Sequence, residues 1–152
     1  MEASRYRSPE KEATGEQTQP EKKNIIVIRS NYRLGALGWV HFGLVSKEFP
    51  EAINLGLQDQ IAVLEWVHDN VDAFGDQDNI TIGGDSAGGT AVSHLLANPE
   101  VQKLVRRAII QSLSPLNVWC TQEKEEAIVI AHKYLEMLGI KDNFSDLINI
   151  EF

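Results

Sequence analysis

Asn79-Ile80-Thr81-Ile82-Gly83-Gly84-Asp85-Ser86-Ala87-Gly88-Gly89 is the stretch on which the fold turns. Ile80-Thr81-Ile82 is a short β-branched run and favours an extended strand. Gly83 to Gly89 is dense in small residues and predicts a tight turn. After it, Ala91, Leu95 and Leu96 fall at helical spacing. A strand therefore runs into a turn and then into a helix, with Ser86 at the corner. Gly84-x-Ser86-x-Gly88 has the pattern of a nucleophile elbow. At average Gly and Ser usage such a pentapeptide arises by chance in roughly one chain in twenty of this length. The flanking strand and helix, not the pentapeptide, carry the reading.

The residue types suit the chemistry. A serine at a sharp strand-to-helix turn needs neighbours without Cβ atoms, and Gly84 and Gly88 are expected to supply that room. The helix that starts after Ser86 offers free N–H groups and a positive dipole end to a developing oxyanion. Ala87 is the expected donor of one such N–H.

Working outward, residues 1–24 hold five basic and five acidic residues among Ser, Thr, Gln, Gly and Pro. A segment with so little to bury is expected to be a disordered polar tail. Residues 25–152 form the expected domain. Asn24–Ile28, with its Ile-Ile-Val-Ile run, reads as a buried strand. Leu57, Ile61, Leu64, Val67 and Val71 mark one apolar stripe on a helix from Leu57 to Phe74. Arg107–Ser112 is a third strand candidate. A last helix runs from about Gln122 to Leu138, with Glu123, Glu125 and Glu126 in its first turns and Gly139 as its C-cap. Strands alternating with helices predict an α/β fold with a parallel sheet.

Net charge and composition narrow the partners. The 152 residues carry a net charge of −8, which weighs against nucleic acid and anionic membrane surfaces. Leu34–Val45 is mostly apolar but holds three glycines and His41, so it is too short and broken to span a bilayer. The first residues have no apolar core of a signal peptide, and a cytoplasmic setting is the default expectation. Cys120 is the single cysteine and reads as a small hydrophobe. The chemistry calls for no cofactor and no metal, and the sequence leaves the oligomeric state open.

Several stretches together resemble a type-B carboxylesterase, of the carboxylesterase–cholinesterase–lipase family with the α/β-hydrolase fold. They are Asn31-Tyr32-Arg33-Leu34-Gly35, then Asn54-Leu55-Gly56-Leu57-x-Asp59-Gln60 with Trp66-Val67-x-x-Asn70. Phe74-Gly75-x-x-Asp78-Asn79-Ile80-Thr81 leads into Gly84-Asp85-Ser86-Ala87-Gly88-Gly89, and Arg106-Arg107-Ala108-Ile109-Ile110-Gln111-Ser112 follows. The likeness covers about Ile25 to Gly139. It implies a partial α/β-hydrolase fold, a parallel sheet with flanking helices that lacks upstream and downstream strands. It implies a small-molecule ester substrate, with Ser86 as nucleophile, Ala87 as oxyanion donor, and Asp85 and Ser112 as supporting residues. Asp85 stands where the family usually has Glu, Gly83 where an aromatic is common, and Leu113 where Gly is usual. Members of the family are often secreted.

The same likeness defines what the chain is expected to lack. The family places a His-Gly-Gly-Gly-type oxyanion loop upstream of the strand at Ile25, where this sequence has its polar tail. It places the catalytic acid and histidine well downstream of the serine. Glu123 or Glu126 with His132 follow Ser86 in the right order, but they share one helix and read as a solvated face. His94 and His68 read as packing or surface residues, and His41 lies in a loop. Three readings follow: an ester hydrolase, a catalytically incomplete esterase-like part, and a non-catalytic interaction protein.

Overall fold

The computed structural model describes residues 25–112, 121–140 and 146–147. The expected tail at 1–24, Leu113 and Cys120 lie outside them. In chain order the elements are α1 (Gly35–Trp39), α2 (Leu55–Asn70), β1 (Thr81–Asp85), α3 (Ala87–Leu96), α4 (Pro99–Leu104), β2 (Arg107–Gln111) and α5 (Lys124–Met137). Short 3-10 turns stand at Phe42–Leu44, Val71–Ala73 and Gln77–Asn79.

β1 and β2 pair in parallel, with Thr81 opposite Arg107 and Asp85 opposite Gln111. The α/β class and the parallel pairing match the expectation from alternating elements. β1 is longer than its β-branched core predicts. Gly83 and Gly84 stay in the ladder opposite Ile109 and Ile110, because the bulkier partner strand holds them extended. The turn is therefore confined to Ser86.

The described residues Ile25–Ile28 do not form the buried strand expected over Asn24–Ile28. Ile25–Ile28 carries no strand ladder, and Ile25 and Val27 are 65% and 64% exposed. A strand is stable only when its backbone groups find a ladder partner, and the described strands pair only with each other. Two short helices, α1 and α4, are not among the expected elements. At α4, Pro99 occupies the first turn, and Asn98 Oδ1 accepts the Glu100 N–H at 2.9 Å. Asn98 is thus the N-cap of α4 and Pro99 its first residue.

The core has two parts. Ile82, Val92, Leu95 and Val101 form the first, and Leu57, Ile61 and Leu64 of the predicted α2 stripe pack on it. Val67 and Val71 of the same stripe are also buried. Phe42, Leu135 and Ile140 form the second, which joins α5 to the turn at 42–44. Gly139 ends α5 with a left-handed φ of 73°. Its N–H donates to Glu136 O at 3.0 Å and the Ile140 N–H to Leu135 O at 3.0 Å, a Schellman cap. Buried Ile140 then packs beside Leu135.

An ion pair ties the loop before α1 to α2. Arg33 Nε and Nη2 donate to Asp59 Oδ2 and Oδ1 at 2.8 and 2.6 Å, and the Arg33 backbone N–H adds a bond to Oδ2 at 2.9 Å. These side-chain hydrogen bonds hold the Asp59 carboxyl below the ordinary aspartate range and raise the Arg33 guanidinium further above neutrality. A carboxyl whose pKa is lowered by folding adds stability above its unfolded pKa of about 4 and loses it as pH falls through the folded value. Acidification from about pH 5 towards pH 2 should therefore lower the urea midpoint. Arg33→Gln should show a smaller drop than the wild-type chain over the same range. Parallel pH profiles for the two proteins would refute this coupling.

Candidate active site

The corner at Ser86 is built by three elements. β1 delivers Asp85 to its end, α3 begins at Ala87, and Ser86 sits between them at φ 53° and ψ −117°. A non-glycine residue in this region carries strain of about 1–3 kcal/mol and needs its surroundings to hold it. β2 supplies them. The Ser86 N–H donates to Gln111 O at 3.0 Å, and Ser86 O accepts the Thr90 N–H at 3.0 Å as the first helical bond. The Ser86 and Ala87 side chains are exposed.

The glycines divide differently from the expectation. A Cβ on Gly84 would lie 2.2 Å from the Gly88 carbonyl carbon, so Gly84 is required. A Cβ on Gly88 would meet nothing within 4 Å. Gly88 lies in the first turn of α3 facing open space, so the expected steric demand there is not met. The second demand falls on Gly89, whose Cβ would lie 2.6 Å from Gln111 O. Gln111 thus both accepts the Ser86 N–H and presses on the helix start. Its role comes from its register opposite Asp85.

Asp85 and Ser112 come together as neighbours across the strand ends. Ser112 Oγ donates to Asp85 Oδ1 at 2.5 Å, and Ser112 itself has a left-handed φ of 55°. Asp85 is exposed, and its carboxylate faces Ser112. Ala87 is the first residue of α3, where a backbone N–H has no intrahelical acceptor.

The histidines lie elsewhere. His41 Nε2 meets Asn54 Oδ1 at 2.8 Å. His68 Nδ1 meets Gln77 Nε2 at 3.0 Å. His94 lies in the last turn of α3 with Nε2 buried. His132 and Glu126 are exposed on α5, and Glu123 stands at the N-cap position of that helix without a side-chain capping bond. α5 packs on the turn at 42–44. Among the described residues, no histidine or carboxylate is hydrogen-bonded to Ser86 Oγ, and no cluster of His, Cys, Asp or Glu is placed to hold a metal. No helix among the described residues is long and apolar enough to cross a membrane.

Known proteins are similar to this chain. Residues 5–149 match the carboxylesterase family. Para-nitrobenzyl esterase of Bacillus subtilis (strain 168) is 40% identical over 123 residues, which cover 80% of this chain and 24% of that protein. Bile salt-activated lipase of Rattus norvegicus is 46% identical over 101 residues, 66% of this chain and 16% of that protein. The crystal structure of a Geobacillus stearothermophilus carboxylesterase at pH 6.8 superposes with a TM-score of 0.68 and 40% identity, covering 76% of this chain and 25% of that one. An esterase from Clostridium hathewayi gives a TM-score of 0.61 and 36% identity, covering 74% and 22%. The chain thus spans about a quarter or less of the length of these relatives.

The glycine geometry makes a differential prediction. Gly84→Ala should destabilise the fold by about 1–3 kcal/mol, because backbone on both sides must move. Gly88→Ala should be neutral or stabilising by up to about 1 kcal/mol, as alanine is the better helix former. Urea-unfolding midpoints of the two variants check this, and equal losses would show that the corner is not packed as described.

Proposed function

The chain belongs to the carboxylesterase family, and from that membership we propose that it carries the nucleophile of a carboxylic ester hydrolase, with Ser86 in that role. The observation that supports the reading is the backbone at Ser86. An exposed serine is held at positive φ between a strand and the start of a helix, and strain of this kind concentrates at working sites.

In this reading Ser86 Oγ attacks the carbonyl carbon of a small-molecule ester while a base removes its proton. The tetrahedral intermediate expels the alcohol, which takes up that proton, and leaves an acyl group on Ser86 Oγ. Water attacks the acyl-enzyme, the carboxylic acid departs, and the Ser86 hydroxyl is restored. The Ala87 N–H stabilises the oxyanion, an interaction worth about 3–4 kcal/mol of barrier in comparable sites. Asp85 and Ser112 are positioning residues. Their mutual hydrogen bond clasps the ends of β1 and β2 beside Ser86. No step calls for a cofactor.

One observation favours a second reading. Ser86 Oγ has no base bonded to it among the described residues, and loss of a triad lowers turnover by on the order of 10⁶. The chain is then an esterase-like part that is catalytically incomplete by itself, or an interaction protein that keeps the corner as structure.

Hydrolysis of p-nitrophenyl acetate by the purified chain, beside its Ser86→Ala variant, separates the two. Turnover that disappears in Ser86→Ala is the outcome the nucleophile reading expects. Equal rates at the uncatalysed level would reject unaided hydrolysis and leave the second reading.

A further inference from the structure

Ile25–Ile28 has the composition of a strand and, among the described residues, no strand to pair with. Its four side chains are between 43% and 65% exposed. Among the described residues its backbone groups make no backbone hydrogen bond. A continuous run of β-branched residues suits a parallel strand covered on both faces. Within its own chain the segment is held beside the end of α2, where a Cβ on Gly75 would lie 3.3 Å from Ile26 Cδ1.

β1 has the complementary lack. It pairs with β2 on one side, and no described strand lies on the other. Ile80 O accepts the Arg107 N–H at 3.3 Å, and the Ser86 N–H donates to Gln111 O at 3.0 Å. Backbone groups alternate sides along a strand, so the even-numbered positions of β1 face β2. The N–H and C=O groups of Thr81, Gly83 and Asp85 therefore point to the open edge, and all three residues are exposed. Such an edge is a template for an added strand.

The outer edge of β2 is open among the described residues as well, and charge separates the two edges. Ile25–Ile28 is flanked in sequence by Lys22, Lys23 and Arg29. Asp76 and Asp78 precede β1 and Asp85 ends it, whereas Arg106 and Arg107 stand at the start of β2. Basic flanks are drawn to the first edge and repelled from the second. Two such segments paired with each other would set basic flanks side by side, which is unfavourable. We propose that a second copy of this chain lays its Ile25–Ile28 segment along the outer edge of β1, as a third parallel strand. In the register that sets Arg29 beside Asp85, Val27 comes beside Gly83, where no side chain stands in its way. The association does not depend on ester hydrolysis at Ser86.

The test is sedimentation of the full chain from about 1 μM to about 1 mM, with amide hydrogen exchange followed residue by residue over the same range. The average mass should rise with concentration, and the Gly83 and Asp85 amides should exchange more slowly as it does. Val27→Asp, which sets a carboxylate beside an acidic edge, should weaken the association by about tenfold or more. A mass independent of concentration would overturn the proposal. So would protection at Ala108 and Ile110 in place of Gly83 and Asp85, or undiminished association of Val27→Asp. Mass and exchange are read on the wild-type chain, so the result stands even where the variant fails to fold.

Discussion

The carbonyl of Gln111 is the contact on which the corner depends. It accepts the Ser86 N–H at 3.0 Å and would lie 2.6 Å from a Cβ on Gly89. Ser86 could not hold its positive φ by its own preferences, since a side chain disfavours that region. The parallel ladder between β1 and β2 places Gln111 opposite Asp85 and brings the carbonyl to the right height. The Ser112–Asp85 hydrogen bond closes the same junction one residue further on. The strain at Ser86 is therefore balanced by a strand distant in sequence, with α4 between them.

Helices supply most of the burial around this junction. α3 turns Ala91, Val92 and Leu95 inward, and Val101 of α4 beside them is fully buried. Two paired strands are marginal in water without such packing. The sheet face that includes Thr81, Gly83 and Asp85 is exposed along β1, and all of β2 is exposed as well. Gly83, where an aromatic is common among carboxylesterases, adds no side chain to that face. Ser86 is correspondingly open to water, whereas electrostatic stabilisation of an oxyanion strengthens as water is excluded. The strained, exposed backbone at Ser86 and the dryness of a full catalytic site are thus separate properties, and the described residues carry the first.

The two ends of α3 differ. Its start offers N–H groups beside Ser86, and its last turn carries His94, whose Nε2 is buried. Ala87, at the first position, gains from unpaired donors and the dipole. His94 gains nothing from them and is defined by the residues α2 brings across. α2 itself is registered against the loop before it by the Arg33–Asp59 pair.

Much of this was legible in the residues. The β-branched run, the small-residue turn and the helical spacing after it located β1, Ser86 and α3. The stripe from Leu57 to Val71 located α2, and Gly139 marked the end of α5. These are local signals, set by backbone sterics and side-chain period, and they need no knowledge of the remaining chain. The likeness to carboxylesterases was legible too, because it rests on short motifs spaced along the chain. What the tertiary structure decided was non-local. Ile25–Ile28 has the composition of a strand, yet pairing needs a partner edge that composition does not specify. Gly88 and Gly89 look alike in sequence, and only the position of Gln111 makes one a steric necessity and leaves the other free. The partners of Asp85 and the orphaned nitrogen of His94 likewise follow from register and packing, which join residues far apart in the chain.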